Sequence, residues 1–380
     1  MKLDKIFIDG RTIRPPYSGV AQYTARLVQN FNFDNFDYCL ATNNLEDVTG
    51  FYSELGEDTP PVVNQVSLPR PIWTALLRYA PFGGRWLPKV SEADLIHITQ
   101  FEPFPKFLTK STKRVLTVHD LIFLDHPEWF TARNLNASNL ALSQLLREQI
   151  ECVITPSQFT KNRLIETGYG GRIEVTPLAS TINTGVIEFS TNLSGEVIAE
   201  KPYFLYIGNL EPRKGLLNLI RAWKVTTSQN SFRLVLAGKY AYLSDEIRAE
   251  IEGAISEGFD VIQLGYVTET RKMALLKNAY CLVYPSESEG FGIPVLDAMS
   301  SGLPVISCLA GSIPEIAGGC AHLIQPGQIV ALANAIDELA TNAPYRNELA
   351  LLGLDHARKY SWKQTAELTE NIYCELLEVD

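Results

Sequence analysis

No C-x-x-C pair occurs in this chain, although it has six cysteines, Cys39, Cys152, Cys281, Cys308, Cys320 and Cys374. That absence removes the usual spacing of zinc ribbons and of thioredoxin-like redox sites. Several of the six sit in apolar, strand-like runs such as AYCLVYP, so the expectation is reduced, buried thiols in a cytoplasmic protein. No D-x-D and no His/Cys cluster offers a metal site. No G-x-G-x-x-G follows the first strand-like run, which argues against a dinucleotide cofactor. No G-x-x-x-x-G-K-[ST] occurs, which argues against phosphoryl transfer of the P-loop kind. Basic charge is short as well: 33 Lys and Arg stand against 43 Asp and Glu, a formal net charge of −10. Such a surface is a poor partner for nucleic acid. No apolar run reaches the roughly 18 residues of a membrane span. The opening MKLDKIFIDG places acids where a secretory leader has basic and then apolar residues, so no export leader is expected.

What the chain does have is an ordinary globular composition, 46% hydrophobic and 20% charged, spread over 380 residues. That length exceeds one compact core and implies two domains. Short apolar runs alternate with amphipathic stretches from end to end. KIFID, DLIHIT, RVLTVHD and CVITPS read as strands in the first half. YFLYIG, RLVLAG, DVIQLG, YCLVYPS and PVISC read as strands in the second. Helical patterns such as RKGLLNLIRAWKVTT and SDEIRAEIEGAISEG intervene. This rhythm means parallel sheets covered by helices, an α/β protein. It falters over 180–201, a polar stretch that stops at Pro202 and reads as a linker. The expected boundaries are 1–180, a linker at 181–201, and 202–360, followed by one amphipathic helix over 361–380 with Ser361 as its N-cap.

In open parallel sheets, ligands bind beyond the carboxyl ends of the strands. The chemistry-bearing motifs fall there. After YCLVYP comes SESEGFGIPVLDAMSSG, with Glu289 and Asp297 eight positions apart. Pro294 suits the first turn of a helix and Gly302 its end. Gly290 and Gly292 allow close backbone approach or positive φ. The helix start attracts anions, and a phosphate suits it. Glu289 precedes the helix and can reach ligand hydroxyls. Asp297, placed in the first turn, can meet a second set of hydroxyls or merely complement the helix dipole. Arg213 and Lys214, where the loop after YFLYIG turns into a helix, supply a fork and a point charge suited to a diphosphate. His119 ends the strand RVLTV and faces either a ligand or a backbone partner. Gly19, behind Ser18, stands where the loop after the first strand enters a helix.

In combination, GNLEPRKG, VYPSESEGFGIPVLDAMSSGLPVI and GSIPEIAG resemble the carboxyl-half motifs of retaining GT-B glycosyltransferases of group 1, family GT4. VHDLIFLDHPEWF and ITPSQFTKNRLIE resemble the amino-half marks of the same family. The subgroup resembled comprises bacterial mannosyl- and related sugar transferases of surface polysaccharide synthesis. The resemblance implies two Rossmann-like doubly wound domains facing across a cleft. Residues 1–180 would take the acceptor, 202–360 would bind the nucleotide-sugar donor, and the last helix would return to the first domain. Arg213 and Lys214 would hold the donor diphosphate, and Glu289 would touch the donor sugar. Backbone groups of Gly290, Phe291 and Gly292 would bind sugar hydroxyls, with Ile293 near the diphosphate. His119 would lie near the sugar's 6-position, while Tyr266 and Val267 would line the base pocket. The donor-binding set also takes in Gly19, Gly208, Asn209, Gly238, Lys239 and Asp297. One departure is that Asp297 stands where the family has glutamate, one methylene longer. On that footing Asp297→Glu should be tolerated and should tighten nucleotide binding.

The implied activity is metal-independent transfer of mannose or glucose, without a cofactor, from a GDP-sugar rather than a UDP-sugar. The implied acceptor is a saccharide or a lipid-linked oligosaccharide. A basic stretch at 69–89 that carries Trp73 and Trp86, with further basic charge at 106–114, is a candidate for peripheral contact with an anionic membrane surface. Two other readings remain open: a nucleotide-sugar epimerase of the same architecture, and a two-domain sugar-binding protein.

Overall fold

The computed structural model describes residues 3–54, 57–60, 63–65, 92–104, 112–148, 150–182 and 200–378. The chain forms two compact units, Met1–Leu178 together with Ser361–Asp380, and Ala179–Tyr360.

The first unit is built on a seven-stranded sheet in the order β3-β2-β1-β4-β5-β6-β7. Its strands are β1 (Lys5–Asp9), β2 (Asp37–Thr42), β3 (Val63–Gln65), β4 (Leu95–Ile98), β5 (Lys113–Thr117), β6 (Cys152–Thr155) and β7 (Ile173–Val175). All pairings are parallel, with Ile6 opposite Tyr38 on one side and Leu95 on the other. Strands covered on both faces need apolar side chains throughout. Accordingly Ile6, Ile8, Leu95, Val115, Leu116, Val153 and Ile154 are fully buried.

Helix Trp362–Leu377 belongs to this unit, although it follows the second unit in sequence. Ser361 caps it, accepting from the Gln364 amide at 3.1 Å. Trp362, Ile372 and Tyr373 are buried, each worth roughly 1.5–3 kcal/mol of apolar burial. Polar contacts fix its register. Thr365 Oγ1 donates to the Pro177 carbonyl at 2.6 Å, Tyr38 donates to Glu370 at 2.5 Å, and the Tyr373 hydroxyl meets His97 Nδ1 at 2.6 Å.

The second unit carries a six-stranded parallel sheet in the order β10-β9-β8-β11-β12-β13. Here β8 is Tyr203–Ile207, β9 Arg233–Ala237, β10 Val261–Gly265, β11 Cys281–Tyr284, β12 Val305–Cys308 and β13 His322–Ile324. Strand order reverses between β8 and β11, which pair through Leu205 and Leu282. That reversal is a topological switch point, where loops diverge and leave a crevice at the carboxyl edge.

The run RKGLLNLIRAWKVTT does not form one continuous helix. Pro212–Lys214 is a 3-10 turn, and the α-helix starts only at Leu216. Gly215, at φ +68°, separates them, and a Cβ there would lie 2.2 Å from the Pro285 carbonyl. The loops after β8 and β11 are therefore in backbone contact, and only glycine fits.

No disulfide joins the six cysteines, and Cys39, Cys320 and Cys374 are half-buried rather than buried. The basic stretch 69–89 lies outside the described residues, as do 106–111 and most of the expected linker. Of the second stretch, Lys113 and Arg114 open β5, and Arg114 pairs with Glu148 and Glu151 at 3.5 Å. Among the described residues no helix is long and apolar enough to cross a membrane.

Candidate active site

Three loops at the carboxyl edge of the second sheet converge on Glu289. The first follows β8 and carries Arg213 and Lys214. The second follows β11 and carries Glu289 itself. The third follows β12, where Ser312 donates to the Glu289 carbonyl from its amide at 3.0 Å and from its hydroxyl at 3.1 Å. Gly311 lies so close that a Cβ there would sit 2.5 Å from the same carbonyl oxygen. The first two loops are stitched together as well, since the Glu287 amide donates to the Arg213 carbonyl at 2.8 Å.

The Glu289 carboxylate is nearly buried, at 8% exposure, yet densely partnered. Its Oε1 accepts from Lys214 Nζ at 2.5 Å, from the Ser286 hydroxyl at 2.6 Å and from the Tyr284 hydroxyl at 2.7 Å. Arg213 Nη1 stands 3.5 Å from Oε2, while Arg213 Nε is 2.7 Å from Glu211. Burial alone would push the Glu289 carboxyl up. The charges of Lys214 and Arg213, with the Lys214 and Ser286 hydrogen bonds, outweigh burial and hold it at about 2. Burial pushes the Tyr284 phenol well up, so it stays a donor. Burial and the neighbouring Arg213 charge pull the Lys214 ammonium down, against the pull of Glu289 and Glu211. With two cations facing one buried carboxylate, the direction that governs the site is that Glu289 stays ionised.

Helix Ile293–Ser300 begins right after this loop, with Pro294 in its first turn and Gly292, at φ +102°, as N-cap. No side chain caps that start, so its dipole and first amides face the loop. Gly290 and Phe291 are buried, and the Phe291 ring turns inward, edge-on to Tyr360 at 6.0 Å. What this segment presents is therefore backbone.

Asp297 differs from the expectation in two respects. It lies in the second turn of the helix rather than the first, because the helix begins at Ile293. Its carboxylate is also engaged by its own chain, at 2% exposure. Oδ1 accepts from the Ser180 hydroxyl at 2.8 Å and the Thr181 amide at 2.7 Å. Oδ2 accepts from the Thr181 hydroxyl at 2.8 Å and faces Lys272 Nζ at 3.2 Å. A shorter acid fits this internal clamp, and both of its oxygens are engaged within the chain.

The remaining candidates of this unit lie on the same edge. Gly208 and Asn209 follow β8, and Gly238 and Lys239 follow β9. The two strand ends touch, because a Cβ on Gly238 would lie 1.7 Å from the Gly208 carbonyl oxygen. Asn209 and Lys239 are exposed. Tyr266 follows β10 at 49% exposure, with half-buried Val267 beside it. Gly19 and His119 belong to the first unit. Gly19 opens helix Gly19–Gln29 behind its N-cap Ser18, with open space where a Cβ would be. His119 lies two residues past β5. Its Nε2 meets the Thr99 carbonyl at 2.8 Å, and Tyr23 packs edge-on at 4.9 Å. A carbonyl accepts, so Nε2 carries the proton and Nδ1 is the bare nitrogen. Burial lowers the His119 pKa, against the Thr99 hydrogen bond and the Asp120 charge.

Glu211, Tyr284, Ser286 and Ser312 were not expected from sequence, yet all contact Glu289 or its cations. The signal for Tyr284 and Ser286 was their place between β11 and Glu289. Glu211 lies two residues before Arg213, and Ser312 lies inside GSIPEIAG.

Residues 201–342 match the family profile described as glycosyl transferases group 1, and residues 17–179 match that of glycosyltransferase family 4. The chain is 30% identical over 268 residues to O-antigen chain mannosyltransferase B of Escherichia coli, covering 69% of this chain and 70% of that protein. It is 25% identical over 276 residues to serotype-specific mannosyltransferase WbdA of Escherichia coli, covering 70% of this chain but 34% of that longer protein. Its structure resembles that of sucrose-phosphate synthase from Thermosynechococcus elongatus, with a TM-score of 0.72 at 19% identity over 99% of each chain.

Proposed function

The chain belongs to the group 1 glycosyl transferases and has the GT-B fold, and on that premise we propose that it moves mannose from a nucleoside diphosphate sugar to an acceptor hydroxyl with retention of anomeric configuration. The donor in this reading is a GDP-sugar and the acceptor a saccharide or lipid-linked oligosaccharide of surface polysaccharide synthesis. Mannose is favoured over glucose because the two relatives named above for their sequence identity, both from Escherichia coli, are mannosyltransferases.

The observation that carries the reading is the Glu289 carboxylate set between Lys214 and Arg213, at the switch point of the second sheet. Breaking the bond between the anomeric carbon and the diphosphate oxygen leaves negative charge on the diphosphate. Arg213, Lys214 and the start of helix Ile293–Ser300 offset that charge without a metal ion. Lys214 spends two of its three N–H donors on Tyr284 and Glu289, which leaves one for a phosphate oxygen. Glu289 holds both cations in place and turns Oε2 to the sugar hydroxyls. The acceptor oxygen attacks the anomeric carbon on the face the diphosphate leaves, and its proton passes to a departing phosphate oxygen. No side chain is assigned as nucleophile.

Incubating the purified chain with GDP-mannose, UDP-glucose and a saccharide acceptor, with and without chelator, tests each part. Sugar transfer from GDP-mannose that survives chelation is the expected result. Isomerised nucleotide sugar without transfer would establish the epimerase reading instead.

A further inference from the structure

A cavity of about 250 Å³ opens in the second unit at the opposite end of the strands from Glu289. Tyr280, directly before β11, and Pro304, directly before β12, place it at the amino edge of the sheet. Its wall carries two cations, Lys277 and Arg346, and no carboxylate. Among the described residues neither cation is in an ion pair, in a chain whose formal net charge is −10.

The bland role for these cations is to offset helix ends. Helices Glu269–Asn278 and Ile293–Ser300 both finish here, and helix Ala343–Ala357 begins here. Two carboxyl ends bring about −0.5 each and one amino end about +0.5, so two full cations leave an excess of roughly +1.5 charges. Helix ends therefore do not account for the charge.

Arg346 is also held in place. Its guanidinium carbon lies over the Tyr280 ring, 4.1 Å from the centroid, and its Nη2 donates to Asn347 Oδ1 at 3.4 Å. The ring is itself fixed, since the Tyr280 hydroxyl donates to the Ala340 carbonyl at 3.1 Å and Phe232 packs at 4.6 Å. With one N–H on Asn347, a guanidinium held over the ring keeps further N–H donors for an acceptor in the cavity, and its fork matches phosphate geometry. Lys277 adds a point charge at the rim, and Asn347 keeps its amide NH2 as a further donor.

The geometry points to a second ligand site here, one that takes a small phosphate-bearing molecule through Arg346 and Lys277, separate from the candidate active site. It does not depend on the functional reading above. Titration of the full chain with inorganic phosphate by calorimetry tests it, with Arg346→Gln, Lys277→Gln and Lys214→Ala alongside wild type. Phosphate affinity should fall about tenfold or more in Arg346→Gln, the loss of one strong charge-assisted contact. It should fall by a smaller factor in Lys277→Gln and persist in Lys214→Ala at this site. Flotation on vesicles with and without phosphatidic acid separates sources. Arg346-dependent flotation identifies a lipid headgroup, and calorimetric binding without flotation identifies a soluble phosphate ester. Undiminished phosphate affinity in Arg346→Gln, or neither binding nor flotation by wild type, overturns the site.

Discussion

Thr181 donates to Asp297 twice, from its amide at 2.7 Å and from its hydroxyl at 2.8 Å, and Lys272 closes the arrangement. Asp297 thus holds the segment by which the chain enters its second unit. Asp297→Ala should cost about 3 kcal/mol in urea unfolding, the low end for a broken buried pair, because Glu269 still faces Lys272 at 2.6 Å. Asp297→Glu should also destabilise, by about 1–3 kcal/mol, because the extra methylene enters a packed site. Calorimetry should show no gain in nucleotide affinity from Asp297→Glu. A tighter-binding, equally stable variant would restore the carboxylate to the ribose.

Lys214→Met removes the strongest partner of a buried carboxylate. Turnover should fall by at least about a hundredfold, if one preorganised donor is worth what such donors usually are. The same variant makes a pH prediction. Glu289 titrates near 2 in the folded chain, below its ordinary value of 4.5. Its contribution to stability is therefore full above pH 4.5 and is lost as pH falls toward 2. Urea midpoints of wild type and Lys214→Met, compared across that window, should converge as pH falls. A constant difference would mean that the ion pair is not what holds Glu289 ionised.

His119 should be neutral at pH 7, with its proton on Nε2. Long-range nitrogen–proton NMR correlations distinguish the two tautomers directly. The shift below 6.5 comes first from burial, so the ring should not charge until pH falls below that value. A proton on Nδ1 at pH 7 would show that the Thr99 contact does not set the tautomer, and the nitrogen offered to a ligand would then be the wrong one.

Much of this was legible in the residues, for a physical reason. Strands β8, β9 and β11 are buried on both faces, so YFLYI, CLVY and, after Arg233, LVLA read as unbroken apolar runs. Strands β3, β7 and β13 have three residues each, too few to show any period. Strand β2 opens on exposed Asp37 and hides among polar neighbours. Lys214 and Glu289 were both marked as chemistry-bearing, but not as partners. They are 75 positions apart, and their meeting depends on Gly215 passing against Pro285. The Asp297 clamp spans 116 positions and reaches into a stretch that reads as featureless linker. Local pattern reports which strand end carries a side chain, and long-range contact decides which way it points.

The last helix offers a test of what docks it on the first unit. His97 is fully buried, with Nδ1 on the Tyr373 hydroxyl at 2.6 Å and Nε2 on the Thr117 hydroxyl at 2.8 Å. Burial, with a smaller contribution from His119, lowers its pKa from 6.5 to about 3. The unfolded chain therefore binds one more proton than the folded chain between those values, and stability falls as pH drops from 6.5 toward 3. His97→Gln removes that proton uptake while keeping polar atoms for Tyr373 and Thr117. Its stability should change less than that of wild type between pH 7 and pH 4 by urea unfolding. Tyr373→Phe should instead lower stability by about 1–3 kcal/mol at pH 7, since it strands a buried ring nitrogen. It should leave sugar transfer intact, because Tyr373 touches none of the groups around Glu289. Equal acid sensitivity in His97→Gln and wild type would place the acid-labile contact elsewhere, with Glu370 and its 2.5 Å bond from Tyr38 the next to examine.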